Sequence, residues 1–109
     1  MEELKGFQKK FLRGLAHGLS PVVLVGAKGL TPALVKALDQ ALRDHEVIKV
    51  KFLDEKEKEG KKALADEICK ASQAQLAGMI GHTAVFFRQN QDPEKRKVKL
   101  PQRAEADAS

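Results

Sequence analysis

Gly26-Ala27-Lys28-Gly29 follows the apolar run Val22-Val23-Leu24-Val25 and precedes Leu30-Thr31-Pro32. Thr31 suits a helix N-cap and Pro32 the first helical position, so the four residues join a strand to a helix N-terminus. Such an end presents unpaired backbone N–H groups and partial positive charge. Glycines without a Cβ let an anionic backbone come close, and Lys28 adds a full charge. The chemistry is that of holding a nucleic-acid phosphate. Taken alone, the GxxG spacing more often marks only a tight structural turn. The spacings GxGxxG and GxxxxGK[ST] do not occur at this junction, which argues against a nucleotide cofactor or an NTPase.

Basic residues flank the turn in sequence: Lys5, Lys9, Lys10 and Arg13 before it, Lys49 and Lys51 after it. Singly they read as solubilising charge; with the turn they form a candidate phosphate track. There is no Trp or Tyr, and the five phenylalanines fall mostly at core-like positions, so stacking on an aromatic platform is not the expected mode. Phe86 and Phe87 are neighbours in a strand and face opposite ways, one a surface contact or both under helices. Catalytic readings are weak. Cys69 falls on the inward side of a helix, where a small buried hydrophobe is the usual role. His17, His45 and His82 lie at element ends without metal-ligand spacing. Asp54, Glu55, Glu57 and Glu59 alternate with Lys56, Lys58, Lys61 and Lys62, a charge-compensated run. No catalytic residue, metal site or cofactor is assigned.

The elements that must position these residues follow from periodicity. Leu4, Phe7, Phe11, Leu12, Leu15 and Leu19 recur at helical spacing, and Gly18 suits the helix end. Val22 to Val25 reads as a strand buried on both faces. A second helix runs from Pro32 to about His45 with Leu34, Val35, Leu38, Ala41 and Leu42 inward. Val47 to Leu53 alternates, with Ile48, Val50 and Phe52 on one side and Lys49 and Lys51 on a basic outer face. Asp54 to Lys62 reads as a solvated loop and the first turn of a third helix, with Leu64, Ala65, Ile68, Cys69 and Ala71 inward. Gln75 to Ile80 and Thr83 to Arg88 flank Gly81-His82 as a strand pair. The order is α-β-α-β-α-β-β, an α/β class. From Gln89 onward the polar chain reads as disordered with an ordered stub at Val98 to Leu100. The domain is placed at 1–101 and a disordered tail at 102–109.

With 109 residues, 42% hydrophobic and 32% charged, the chain suits one self-folding domain rather than a multi-domain enzyme. A net charge of +5 favours a polyanionic partner. A single cysteine excludes an internal disulfide, and neither a membrane span nor an apolar leader is evident. A cytoplasmic monomer that takes no small-molecule substrate is the expectation.

The pieces Leu12-Arg13, Leu15-Ala16-His17, Leu19-x-Pro21-Val22, Val25 to Thr31, Ala41-Leu42, His45 to Lys51, Ile80-Gly81-His82 and Phe87-Arg88 taken jointly resemble the YhbY family. These small bacterial proteins are the stand-alone form of the CRM (chloroplast RNA splicing and ribosome maturation) domain. The resemblance runs over about residues 4 to 100. It implies a mixed four-stranded sheet similar to the C-terminal domain of translation initiation factor three. It also implies RNA binding, with precursors of the large ribosomal subunit as partner, through a loop of the GxxG form that KH domains use. Carried over by position, the RNA-contact loop is Gly26, Ala27, Lys28 and Gly29, supported by Lys9, Arg13, Lys49 and Arg88; Lys51 joins them as part of the basic strand face. The segment after Pro101 is outside the family pattern. The rival reading is a protein–protein adaptor with a basic surface and a purely structural turn.

Overall fold

A computed structural model describes residues 2–53 and 58–102. Its elements are α1 (Gly6–Ala16), β1 (Val23–Val25), α2 (Pro32–His45), β2 (Val47–Phe52), α3 (Lys58–Ser72), β3 (Gln75–Ile80), β4 (Thr83–Phe87) and a 3₁₀ turn at Pro93–Lys95. The strands form one mixed sheet in the order β1-β2-β4-β3. β1 runs parallel to β2, with Val23 opposite Val50 and Val25 opposite Phe52, so the chain between them must cross over, and α2 is that crossover. β4 runs antiparallel to both β2 and β3, with Lys51 opposite Thr83 and Ile80 opposite Thr83. The expected order and mixed sheet are both present.

Local chemistry sets the boundaries. Thr31 Oγ1 accepts the Leu34 N–H at 3.2 Å and Pro32 takes the position where no donor is needed, so α2 starts where the cap dictates. The β3–β4 hairpin turns at Gly81, whose φ of +59° suits glycine. Two helices and one helix cover opposite faces of the sheet. Leu38 and Leu42 of α2 and Leu64, Ala65 and Ile68 of α3 pack on Val25, Ile48, Val50, Phe52 and Phe86. On the other face Leu12 and Ala16 of α1, with Leu4 and Val98, pack on Val47, Ala77, Val85 and Phe87.

Several expectations are corrected. β1 is a three-residue edge strand, and Leu24 is exposed rather than buried on a second face, because α1 packs on β3, β4 and the start of β2. For Phe86 and Phe87 the reading that puts both under helices holds: both are fully buried, since each sheet face carries a helix there. Neither is a surface contact. Ala71 is exposed and Ser72 is buried instead, its Oγ donating to the Ile68 carbonyl at 2.6 Å. In α1, Leu15 is exposed, and Leu19 beyond the helix is exposed as well. The outer face of β2 is basic only at Lys49 and Lys51; Val47 on the same side lies under α1.

The chain from Gln89 to Leu100 is docked, not disordered. The cause is Glu46, which is buried at 1% exposure. Its carboxylate accepts the N–H groups of Asn90 (2.6 Å), Lys97 (2.6 Å) and Val98 (2.7 Å). Val98 enters the α1 cluster, with Leu100 packed beside it. Residues 54–57 of the charge run and 103–109 of the expected tail lie outside the described residues.

Candidate nucleic-acid interface

The Gly26–Gly29 segment is a closed turn: the Gly29 N–H donates to the Gly26 carbonyl at 3.0 Å. Gly29 has φ +68°, a left-handed conformation that strains any residue with a Cβ. Gly26 differs. Its φ is ordinary, and a Cβ built there meets nothing within 4 Å. The fold therefore requires glycine at 29 and not at 26. The turn ends at the N-terminus of α2, where the first backbone N–H groups lack helical partners and favour an anion.

This turn lies at one end of the sheet. The Leu53 N–H donates to the Val25 carbonyl and the Phe52 N–H to the His82 carbonyl, which brings residue 53 and the Gly81-His82 hairpin alongside it. α3 begins nearby: Leu64 Cδ1 comes within 3.9 Å of a Cβ built at Gly29, and Lys61 Nζ donates to the Gly81 carbonyl at 2.9 Å. Lys61 thus stands at the turn's end of the sheet, and its position in a mixed-charge run gave no signal of that.

The expected supporting cations separate into two groups. Lys49 and Lys51 alternate outward on β2 below the turn, on the α1 face of the sheet. Arg13 joins them from α1. Its side chain crosses Gly78, where a Cβ would collide with Arg13 Cδ, and Nη1 donates to the Ala77 carbonyl at 2.9 Å. Gly78 faces Val85, which faces Lys49, so Arg13 borders the same surface from the β3 side. The side chains of Lys28, Lys49 and Lys51 form no ion pair or hydrogen bond among the described residues.

Lys9 and Arg88 stand apart. Lys9 lines a hollow of about 570 Å³ along the outer edge of β3, with Lys62, Asp66 and Cys69. Arg88 lies at the opposite end of the sheet, its N–H donating to the Glu46 carbonyl. About seven strand residues, roughly 23 Å, separate that level from the turn. The Arg88 guanidinium is used within the fold, donating to Asp39 Oδ1 at 2.8 Å, the Ser72 carbonyl at 2.9 Å and the Asp39 carbonyl at 3.1 Å. That hydrogen bond and charge hold the Asp39 carboxyl below its ordinary range, against a smaller opposing effect of burial. The side chain forms part of a hollow of about 880 Å³ in which Arg43, Arg96 and Lys97 mix with Asp44 and Glu94.

Burial, and then the Asp66 carboxylate, push the Cys69 thiol above the ordinary value, which keeps it protonated near neutrality. The charge of Lys62 and a backbone hydrogen bond from Leu76 favour the thiolate, but they are outweighed. No group of His, Cys, Asp and Glu among the described residues could hold a metal ion.

The sequence profile of the CRS1 / YhbY (CRM) domain matches residues 4–88. A probable RNA-binding protein of Pseudomonas aeruginosa is 42% identical over 88 residues, 81% of this chain and 84% of its own. An RNA-binding protein of Haemophilus influenzae is 38% identical over 103 residues, 94% of this chain and 100% of its own. The solution structure of SAV1595, a hypothetical Staphylococcus aureus protein described as an RNA-binding candidate, is similar with a TM-score of 0.77. It is 32% identical, and the match covers 91% of this chain and 100% of that one. With the profile spanning all three helices and all four strands, the chain belongs to the CRS1 / YhbY (CRM) domain family.

Proposed function

We propose that this protein is an RNA-binding module that grips the phosphate backbone at the Gly26–Gly29 turn and along Lys49, Lys51 and Arg13. The observation that carries the reading is Gly26. Gly6, Gly14 and Gly18 are likewise glycines with open space around a built Cβ, but Gly26 stands beside Lys28 in the turn that leads to an anion-favouring helix end, where a missing Cβ leaves room for a backbone that approaches from outside. The names of the relatives from P. aeruginosa and H. influenzae support RNA as that partner. The family resemblance supports precursor large-subunit ribosomal RNA as the RNA class, and ribosome assembly in the cytoplasm as the setting, with the protein acting as a monomer and without catalysis. Lys9 and Arg88 are reassigned in this reading, Arg88 to holding α2 against the end of β4.

Substituting Ala27→Asp and Lys28→Asp together tests it. Both glycines remain, so the turn keeps its geometry while two negative charges meet the phosphate. Affinity for RNA should fall by about 1 to 3 kcal/mol, the worth of charge-assisted hydrogen bonds, with an unchanged circular dichroism spectrum. Wild-type affinity in the folded double variant would leave the turn with a structural role alone.

A further inference from the structure

Val22, Leu24, Leu53 and Ile80 are each more than half exposed. Strand alternation puts all four on the α1 side of the sheet, on the half that α1 leaves open next to the Gly26–Gly29 turn. The remaining exposed large hydrophobics among the described residues, Leu15 and Leu19, belong to the last turn of α1 and the link to β1. One row across the sheet reads Leu24, Lys51, Thr83, Ile80, and the next reads Val22, Lys49, Val85, Gly78 with Arg13 above it. Aliphatic and cationic side chains therefore interleave at neighbouring-strand spacing, about 4.8 Å, and the first row extends about 14 Å. None of these positions is a carboxylate.

We infer that this open sheet face receives the bases of single-stranded RNA, unstacked against Leu24, Leu53 and Ile80, while Lys49 and Lys51 hold the flanking phosphates. The inference rests on the phosphate-gripping function proposed above and adds the substrate class: single-stranded, not duplex, RNA. Two features favour RNA over a protein as the occupant. Protein-docking surfaces are depleted of lysine at their centre, whereas two lysines stand at the centre of this one. The face is also continuous with the Gly26 turn, since Leu24 precedes Gly26 by two residues on the same strand edge. A duplex keeps its bases stacked inside an A-form helix and offers aliphatic side chains no flat apolar partner. Without an aromatic platform the contact is sequence-tolerant and weaker per base than aromatic stacking.

The test compares wild type, Leu24→Thr/Ile80→Thr and Lys49→Gln/Lys51→Gln. Each is titrated by fluorescence anisotropy over a salt series with labelled oligouridine of about a dozen nucleotides, and with an RNA duplex of equal length. Threonine carries the β-branch favoured in strands, and Ile80→Thr alone, at the most exposed of the four positions, provides a second variant if the pair loses its melting transition. The aliphatic pair should weaken oligouridine binding about five- to tenfold at every salt concentration, a parallel displacement of the line, because apolar contact releases no counterions. The lysine pair should instead reduce the slope of log K against log salt by about 1.4, and the duplex should bind more weakly than oligouridine. Unchanged oligouridine affinity in the aliphatic variants, with wild-type binding intact, overturns the inference and leaves the face to a protein partner. Equal binding of duplex and single strand overturns it too. Failure of wild type to bind either RNA saturably would overturn the function itself.

Discussion

Substitution at Gly29 should destabilise the protein, because φ +68° is retained by the Gly29 N–H bond to Gly26 and an L-residue is strained there. Gly29→Ala is expected to cost about 1 kcal/mol in urea unfolding, whereas Gly26→Ala, with open space around its Cβ, should shift stability by less than about 0.5 kcal/mol. The same Gly26→Ala variant should still lose RNA affinity. A stable variant with full affinity would show that nothing approaches this position. Asp39 offers a second test. Its folded-state pKa is depressed below the ordinary 3.8, first by the hydrogen bond from Arg88, so its contribution is present above that value and lost as pH falls through the folded one. Its side chain is 40% exposed, which limits the pair to about 1 kcal/mol or less. Asp39→Asn should be less stable than wild type at pH 7 by that amount, with the difference vanishing in acid melts well below pH 3.8. The turn and Lys28 were legible from residue types alone. The commitment of Arg88 to Asp39 was not, since the partners are 49 residues apart and no local pattern links them.

At the scale of elements, the least legible feature is the strap from Gln89 to Leu100. Its sequence is polar and aperiodic, so composition suggests disorder, yet it is held by a carboxylate contributed from the α2–β2 junction. Glu46 also has φ +64°, an unfavourable conformation for glutamate that its hydrogen bonds to the surrounding backbone, including the Arg88 N–H to its carbonyl and its own N–H to the Leu42 carbonyl, keep in place. Glu46→Gln replaces one acceptor oxygen by a donor facing N–H groups, and should cost about 1.5 to 3 kcal/mol with loss of amide-exchange protection at Asn90, Lys97 and Val98. Unchanged protection would mean that the strap is held by Val98 and Leu100 alone. Stopping the chain after residue 102 should leave the melting temperature within a few degrees, as expected of a segment beyond the family pattern. Stopping it at Arg88 should lower it much further, because the Glu46 carboxylate then loses three donors. The helices were readable because their apolar faces are periodic. β1 was misread because a run of β-branched residues signals strand but not how many faces are covered, and the extent of α1 decides that.

For the whole molecule, a formal charge of +5 is less informative than where the cations stand. Those at the Arg88 end are mixed with carboxylates, whereas Lys28, Lys49, Lys51 and Arg13 line the turn and the open sheet face. The three amphipathic helices were legible in the sequence; the sheet face that each covers and the uncovered half-face were not, because they depend on where α1 stops. The central claim is that RNA phosphates are held at this end. The most direct measurement is the salt dependence of affinity for single-stranded RNA in wild type and in Ala27→Asp/Lys28→Asp. With about four phosphates neutralised, log K should fall against log salt with a slope of about −3, at roughly −0.7 per phosphate, and the double variant should give a visibly shallower line. A wild-type slope near zero, or a double variant whose slope and affinity match wild type, would contradict the account.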